Sequence, residues 1–323
     1  MLKHLNGKFL LSLLLTLFIA TCGSEDETPT IDTLDYTTGK NSYRLTASGV
    51  ERNFHVFVPS GYDENVPVPL VFMFHGSGGN GNATYQNSGW KEVAEQHNFI
   101  CVFPTGLEYF IVSLNTLQTK WSSTGLDGEL QEGVEVVDDI PFVTGMLDQL
   151  IATFNIDENR IYASGFSNGG GFSKSRIMCE LSDRFAAIGT SGGHALPQVV
   201  PVQSNDILAL HTIMGTNDDK KLNSAGQTNP FPMDAEEIMS HDYLKGNIDN
   251  ILEMLQLGDS YDSEAEMPHF NTLRFRDALP ANDNEFRFRM VKGMGHIWPN
   301  GNNHASGLSA PELFWPFFQE HSK

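Results

Sequence analysis

The chain has 323 residues, 40% apolar and 19% charged, with 20 basic against 40 acidic side chains for a net charge of −20. That length suits one large domain or two ordinary ones, and the composition excludes a mostly disordered chain and a coiled coil. A surface this acidic repels phosphate backbones, which argues against nucleic-acid binding, and three cysteines are too few for a disulfide scaffold.

Lys3 and Lys8 precede an almost continuous apolar run, Phe9 to Ala20, that ends at Thr21-Cys22. The run suits a secretory h-region and is too short to span a bilayer comfortably. Ile19-Ala20-Thr21-Cys22 resembles a bacterial lipobox, with Thr21 in place of the usual Gly, Ala or Ser. The resemblance implies cleavage before Cys22 and lipidation of that cysteine; an ordinary signal peptide is the alternative. Gly23-Ser24-Glu25-Asp26-Glu27 resembles the Ser-plus-acidic export signal of surface lipoproteins in Bacteroidetes-type bacteria, and a solvated acidic tether accounts for the same residues. The expectation is an exported protein, anchored at the cell envelope or cell surface through lipid on Cys22 or otherwise secreted, and touching a membrane only through that anchor. Residues 1–22 form the leader, 23–40 a flexible acidic tether, and 41–323 a single domain.

In chain order, Arg52 to Pro59 alternates apolar and polar residues as a half-buried strand does. Leu70 to Phe74, Phe99 to Phe103, Arg160 to Ala163 and Ile207 to Ile213 are continuous apolar runs, which suit strands covered on both faces. Between them, Trp90 to His97, Val134 to Phe154 and Gly169 to Leu181 read as helices, and Ala310 to His321 as a closing helix despite Pro316. This alternation predicts an α/β fold with a mostly parallel central sheet and helices on both faces. Residues 220–285, with an amphipathic stretch at Ala235 to Leu257, read as a variable insertion packed over the carboxyl edge of the sheet.

Two segments match G-x-S-x-G: Gly165-Phe166-Ser167-Asn168-Gly169 and Gly189-Thr190-Ser191-Gly192-Gly193. Ser167 follows a strand and precedes a credible helix, the context of a nucleophile elbow. Ser191 follows a strand, but His194-Ala195-Leu196-Pro197 does not start a comparable helix, so Ser191 reads as a strand-end turn. A serine nucleophile needs a base oriented by an acid, in the order Ser, acid, His. His296 stands in a Gly-rich loop after the strand Phe286 to Val291; His304 is the nearby competitor, and His211 lies inside an apolar strand. For the acid, Asp218 closes the Ile207 to Met214 strand, with Asp219 as its rival. The oxyanion donors are expected to be the peptide N–H of Asn168 and one from His75-Gly76-Ser77-Gly78-Gly79, assigned to Ser77. Trp298, two residues after the candidate base, is expected to line the acyl pocket, the alternative being that it packs the loop down. Cys101 and Cys179 read as buried thiols.

The segments PLVFMFHGSGGN, FICVFPTG, NIDENRIYASGFSNGGG, RFAAIGTSGG, GTND and GMGHIWPNG, with Trp121 and Val137-Asp138-Asp139-Ile140 between them, occur in one order. Together they resemble the secreted feruloyl esterase and polyhydroxybutyrate depolymerase-like family of α/β-hydrolases. The resemblance runs from about residue 45 to the end and is weakest over 220–285. It implies Ser167 as nucleophile, Asp218 as acid, His296 as base, and no metal or cofactor. One departure stands out: Asp219-Lys220-Lys221 follows the acid where the family usually has a proline. The expected function is hydrolysis of carboxylic esters through an acyl-enzyme, with feruloyl esters of plant polysaccharide as the leading substrate class. A polyhydroxybutyrate depolymerase-like polyesterase or an acetyl esterase is the alternative. From another class, the alternative is a non-catalytic surface carbohydrate-binding lipoprotein.

Overall fold

The continuous apolar runs form the centre of a parallel sheet, and the alternating ones its edges. In the computed structural model, residues 32–193, 208–266, 268–276 and 283–323 are described, and Asp32–Lys323 belongs to one unit. The leader, Cys22 and the turn at residues 194–197 lie outside the described residues. The strands are β1 (Gly39–Ala47), β2 (Val50–Val58), β3 (Val68–Phe74), β4 (Ile100–Pro104), β5 (Leu107–Ile111), β6 (Thr116–Lys120), β7 (Ile156–Phe166), β8 (Ala187–Ser191), β9 (Ala209–Gly215), β10 (Asp262–Glu266), β11 (Phe270–Phe275) and β12 (Glu285–Val291). Ten of them make one sheet in the order β1-β2-β4-β3-β7-β8-β9-β12-β11-β10, while β5 and β6 pair as a separate hairpin. From β4 to β12 the neighbours run parallel; β1-β2, β2-β4, β12-β11 and β11-β10 are antiparallel. β3, β4, β8 and β9 are buried at every position, as expected of strands covered on both faces.

The helices are α1 (Gly81–Asn87), α2 (Trp90–His97), α3 (Ile140–Thr153), α4 (Asn168–Phe172), α5 (Met178–Glu180), α6 (Asp219–Ser224), α7 (Ala235–Ser240), α8 (Asp242–Met254) and α9 (Ala310–Gln319). α4 passes into α5 through a π-helical turn, Ser173–Ile177. Side chains of α3, α4 and α8 join Phe72 and Phe74 in one core, while α1, α2 and α9 join Val71 and Met73 in a second, so alternate residues of β3 face opposite layers. In α9, Pro316 sits inside the helix, where buried Phe314, Trp315, Phe317 and Phe318 hold the turn around it.

Three expectations about organisation need correction. The tether does not extend to residue 40: the Leu34 N–H donates to Thr153 Oγ1 at 3.0 Å, and the Tyr36 ring packs on Phe154 and Tyr62 at 4.7 and 5.9 Å. The aromatic in the polar stretch supplies the contact that anchors it. α3 starts at Ile140 rather than Val134, because Asp139 before it is pinned by Arg52 and Ser122, and Pro141 fits the first turn. The region 220–285 is not simply laid over the carboxyl edge. β10 and β11 extend the sheet, and Leu244, Ile248, Ile251 and Leu252 of α8 enter the same core as Phe286 and Phe288 of β12. Their near one-turn spacing puts these four residues on one helix face, which the sheet buries.

Candidate active site

Parallel strands bring their carboxyl ends to one edge, and the candidate residues all follow such ends. Ser167 comes directly after β7, the His75–Gly79 loop after β3, Asp218 three residues after β9, and His296 five after β12.

Ser167 occupies a strained turn with φ +50° and ψ −115°, a conformation that L side chains rarely adopt. Its N–H donates to Ser191 O at 2.9 Å, and its C=O accepts from the Gly171 N–H at 2.8 Å, so the turn is fixed on both sides. The flanking glycines follow from close approach. A Cβ on Gly165 would lie 2.4 Å from Gly169 O, and one on Gly169 would lie 2.3 Å from Phe74 O. The turn thus presents Ser167 Oγ at the start of the α4–α5 run.

Ser167 Oγ lies 2.8 Å from His296 Nε2. His296 Nδ1 lies 3.0 and 2.9 Å from the two carboxylate oxygens of Asp218. Asp218 is buried and caps α6, accepting the Lys221 N–H at 3.1 Å. Burial alone would push this carboxyl up; the His296 hydrogen bond and charge, with the N–H and charge of Lys221, outweigh it and hold the carboxyl below its usual range. An acceptor on Nδ1 leaves Nε2 able to take a proton from the hydroxyl. The neighbouring Asp219 is exposed at the start of α6, and His304 Nδ1 bonds Ser306 Oγ at 2.8 Å instead.

The serine opens on a cleft of about 680 Å³ lined by Ser77, Leu114, Phe166, Asn168 and His296 among others. Residues Ser77 and Asn168, whose N–H groups are the expected oxyanion donors, therefore border the same space as the serine. A shared framework orients the two loops. Trp121 donates from Nε1 to His75 O at 3.0 Å and from its backbone N–H to Asn168 Oδ1 at 2.7 Å. Asn168 Nδ2 donates in turn to Ser123 Oγ at 2.7 Å. His75 is buried; its Nε2 accepts the Gly106 N–H at 2.9 Å, so Nδ1 carries the proton that it donates to Gly76 O at 2.7 Å. Burial pulls this imidazole down to about 4, which keeps it neutral at ordinary pH.

A model of the phospholipase/carboxylesterase family matches residues 56–225, more than half of the chain. The chain belongs to that family. It is 28% identical over 180 residues to a bifunctional acetylxylan esterase/xylanase of Neocallimastix patriciarum, covering 55% of this chain and 23% of that protein. It is 27% identical over 172 residues to feruloyl esterase C of Emericella nidulans, covering 52% of this chain and 55% of that one. The chain therefore spans well under two thirds of either relative. An S-formylglutathione hydrolase structure from Agrobacterium tumefaciens superposes with a TM-score of 0.54 at 12% identity, covering 90% of this chain and 98% of that one. The α/β-hydrolase fold is thus shared.

Elsewhere in this carboxylesterase-family chain, one expected site residue is displaced. Trp298 does not line the cleft beside Ser167. It is buried against Phe314 at 6.0 Å, and its Nε1 donates to Ser88 O at 2.8 Å. The correction has a physical reason: an indole carries an N–H that must be satisfied when buried, and the Ser88 carbonyl draws the ring into the α2–α9 layer. Ser191 is buried and donates from Oγ to Ile297 O at 2.9 Å, tying the His296 loop to β8. His211 is buried between Phe314 and Phe317, with neither ring nitrogen bonded among the described residues. Cys101 and Cys179 are not joined by a disulfide. Among the described residues Glu285, Glu320 and His321 converge closely enough to hold a metal, but Glu285 lies at the amino end of β12 and is engaged by Arg274 and Arg287.

Sequence reasoning gave no role to the side chains of Arg52, Asp139, Trp121, Lys174 and Lys221. Arg52 and Asp139 form a fully buried ion pair, with Arg52 also donating to Thr105 O at 3.1 Å and Asp139 accepting the Ser122 N–H at 2.6 Å. The pair holds the segment that carries Trp121. The one local signal was a charged residue inside the apolar phase of β2, at Arg52.

Proposed function

We propose that this protein is an exported serine esterase that hydrolyses carboxylic esters through an acyl-enzyme. The observation that carries the reading is the contact of Ser167 Oγ with His296 Nε2 at 2.8 Å, on a strained strand-to-helix turn, with Asp218 on the far side of the imidazole. In this reading Ser167 Oγ attacks the ester carbonyl carbon as His296 Nε2 takes its proton. Asp218 holds the tautomer and stabilises the imidazolium. The N–H groups of Asn168 and Ser77 bear the oxyanion. The imidazolium returns its proton to the leaving alcohol. Water then attacks the acyl-enzyme with His296 again as base, releasing the acid and free serine.

Feruloyl esters of plant polysaccharide are the substrate class we favour, on the likeness to proteins named feruloyl and acetylxylan esterases. Export, with lipid on Cys22, rests on the apolar run ending at that cysteine. The test compares wild type, Ser167→Ala and Ser191→Ala on p-nitrophenyl acetate and methyl ferulate. Ser167→Ala is expected to lose roughly 10⁴- to 10⁶-fold in kcat with an unchanged melting curve, and Ser191→Ala to keep most of its activity. Folded Ser167→Ala at wild-type rates would overturn the reading.

A further inference from the structure

The departure from the family pattern after Asp218, the Lys220-Lys221 pair, has a structural counterpart on the helix that follows Ser167. Lys174 lies in the π-helical turn and is buried, with its Nζ donating to Gly192 O and Gly193 O, each at 3.2 Å. Lys221, in α6 and equally buried, donates from Nζ to the same Gly193 carbonyl. Two long cationic side chains from different elements thus converge on one two-residue turn, and each is held there by carbonyl oxygens. Burying an ammonium in this way is costly, so the arrangement needs a reason. Burial pulls the Lys221 ammonium down to about 8, opposed by the Asp218 charge. Lys174 is pushed well below the usual lysine range by burial and then by the Lys221 charge.

The turn they hold supports the site. Gly192 has φ +66°, and a Cβ there would lie 3.0 Å from His296 Cε1 and 3.7 Å from the Ser167 Cα, so its backbone packs directly against the imidazole. Gly193 has φ +76°, and a Cβ there would lie 2.5 Å from the Gly171 N. Ser191, just before the turn, accepts the Ser167 N–H and donates to Ile297. We propose that Lys174 and Lys221 are positioning residues for the Ser167–His296 pair, clamping the Gly192–Gly193 turn against which the imidazole rests. This rests on the esterase reading above. The groups facing Lys221 are Asp218 at the head of α6, His296 beyond it, Lys174 from the π-turn and Tyr243 from α8; the last also lines, with both lysines, a cavity of about 30 Å³.

The test is steady-state kinetics on p-nitrophenyl acetate across pH 5–10, with melting curves for every variant. Lys221→Met is expected to lower kcat about 10- to 100-fold, the cost of a small misplacement of the base, with KM within about twofold. Lys221→Arg, which keeps a cationic donor, is expected to recover most of that loss. Lys174→Met acts on the same turn, so the double variant should lose less than the product of the two single losses. Should Lys174→Met fail to fold, the Lys221 variants decide alone. The clamp is overturned by kcat within twofold of wild type in Lys221→Met, or by a loss that Lys221→Arg does not reverse. Ser167→Ala measured alongside separates the readings. An active Ser167→Ala removes the esterase reading, whereas an inactive one beside fully active lysine variants removes only the clamp.

Discussion

The two sides of the cleft bury charge in opposite ways. On the side of the oxyanion loops, Arg52 and Asp139 neutralise each other, and the second carboxylate oxygen of Asp139 accepts the Ser122 N–H. On the side of His296, Lys174 and Lys221 meet backbone carbonyls instead. A paired ion is insensitive to pH near neutrality and fails when its partner is removed. An ammonium held by carbonyls tolerates loss of its charge, because the neutral amine still donates. One side is therefore a rigid brace and the other a titratable one.

The largest effect that can break this comparison is Asp139→Ala. It leaves the Arg52 guanidinium buried without its carboxylate and the Ser122 N–H without its acceptor. A loss of about 3–5 kcal/mol is expected, read by urea denaturation. A variant within about 1 kcal/mol of wild type would mean that the buried pair is not what holds this side. Next in size is Trp121→Phe, which keeps the ring but strands the buried His75 carbonyl. An unsatisfied carbonyl costs about 1–3 kcal/mol. If that cost falls on the oxyanion loops, kcat on p-nitrophenyl acetate drops by roughly tenfold or more while KM holds; a change confined to the melting temperature would separate Trp121 from the site.

The same division governs what could be read from residues alone. Ser167, Asp218 and His296 each follow a strand end in a short motif whose glycines answer a local need, and so do the flanks at Gly165 and Gly169. The strands themselves were legible because continuous apolar runs mark double-sided burial. Arg52 and Asp139 are 87 residues apart, and Trp121 and Asn168 are 47 apart. No period or motif links such pairs, since their contact exists only once the sheet has formed. Lys174 and Lys221 were opaque for a further reason: a lysine in a short polar segment reads as solvated, and only the packed helix shows its stem running inward. Tyr36 and β10 were missed because polar segments with few apolar residues carry a weak signal, and β11 because its three apolar residues, Phe270, Leu273 and Phe275, do not alternate regularly.

The pH dependence sharpens the contrast. Lys221 in the folded protein has its pKa lowered to about 8, against 10.5 ordinarily. Between those values the unfolded chain holds a proton that the folded one does not, so this residue's contribution to stability rises with pH across that window and is lost as pH falls through about 8. The melting temperature of wild type relative to Lys221→Met is therefore expected to rise by a few degrees from pH 7.5 to pH 10. A constant gap would show that the ammonium is not buried as described. His75 supplies the acid counterpart on the other side: with its pKa pulled down to about 4 from 6.5, its contribution is full above 6.5 and declines as pH falls to 4.

The smallest expected effect concerns Trp298, which belongs to neither brace. Its indole Nε1 bonds Ser88 O, and its ring packs on Phe314 in the layer of α2 and α9. Trp298→Phe keeps an aromatic ring in that layer and removes one buried N–H donor, leaving the Ser88 carbonyl to find another. Such a change costs about 1 kcal/mol, visible as a small drop in melting temperature. Because the ring is buried and does not line the cleft, any loosening reaches the imidazole through the backbone of the loop they share and not through the bound acyl group. All esters should then lose kcat/KM by a similar small factor. A pocket-lining ring would instead penalise methyl ferulate more than p-nitrophenyl acetate, by up to about 10- to 200-fold. The ratio of the two kcat/KM values in Trp298→Phe, divided by the wild-type ratio, is expected to stay within about twofold of unity. A ratio beyond tenfold would place the ring against the substrate and reverse the assignment made from its hydrogen bond.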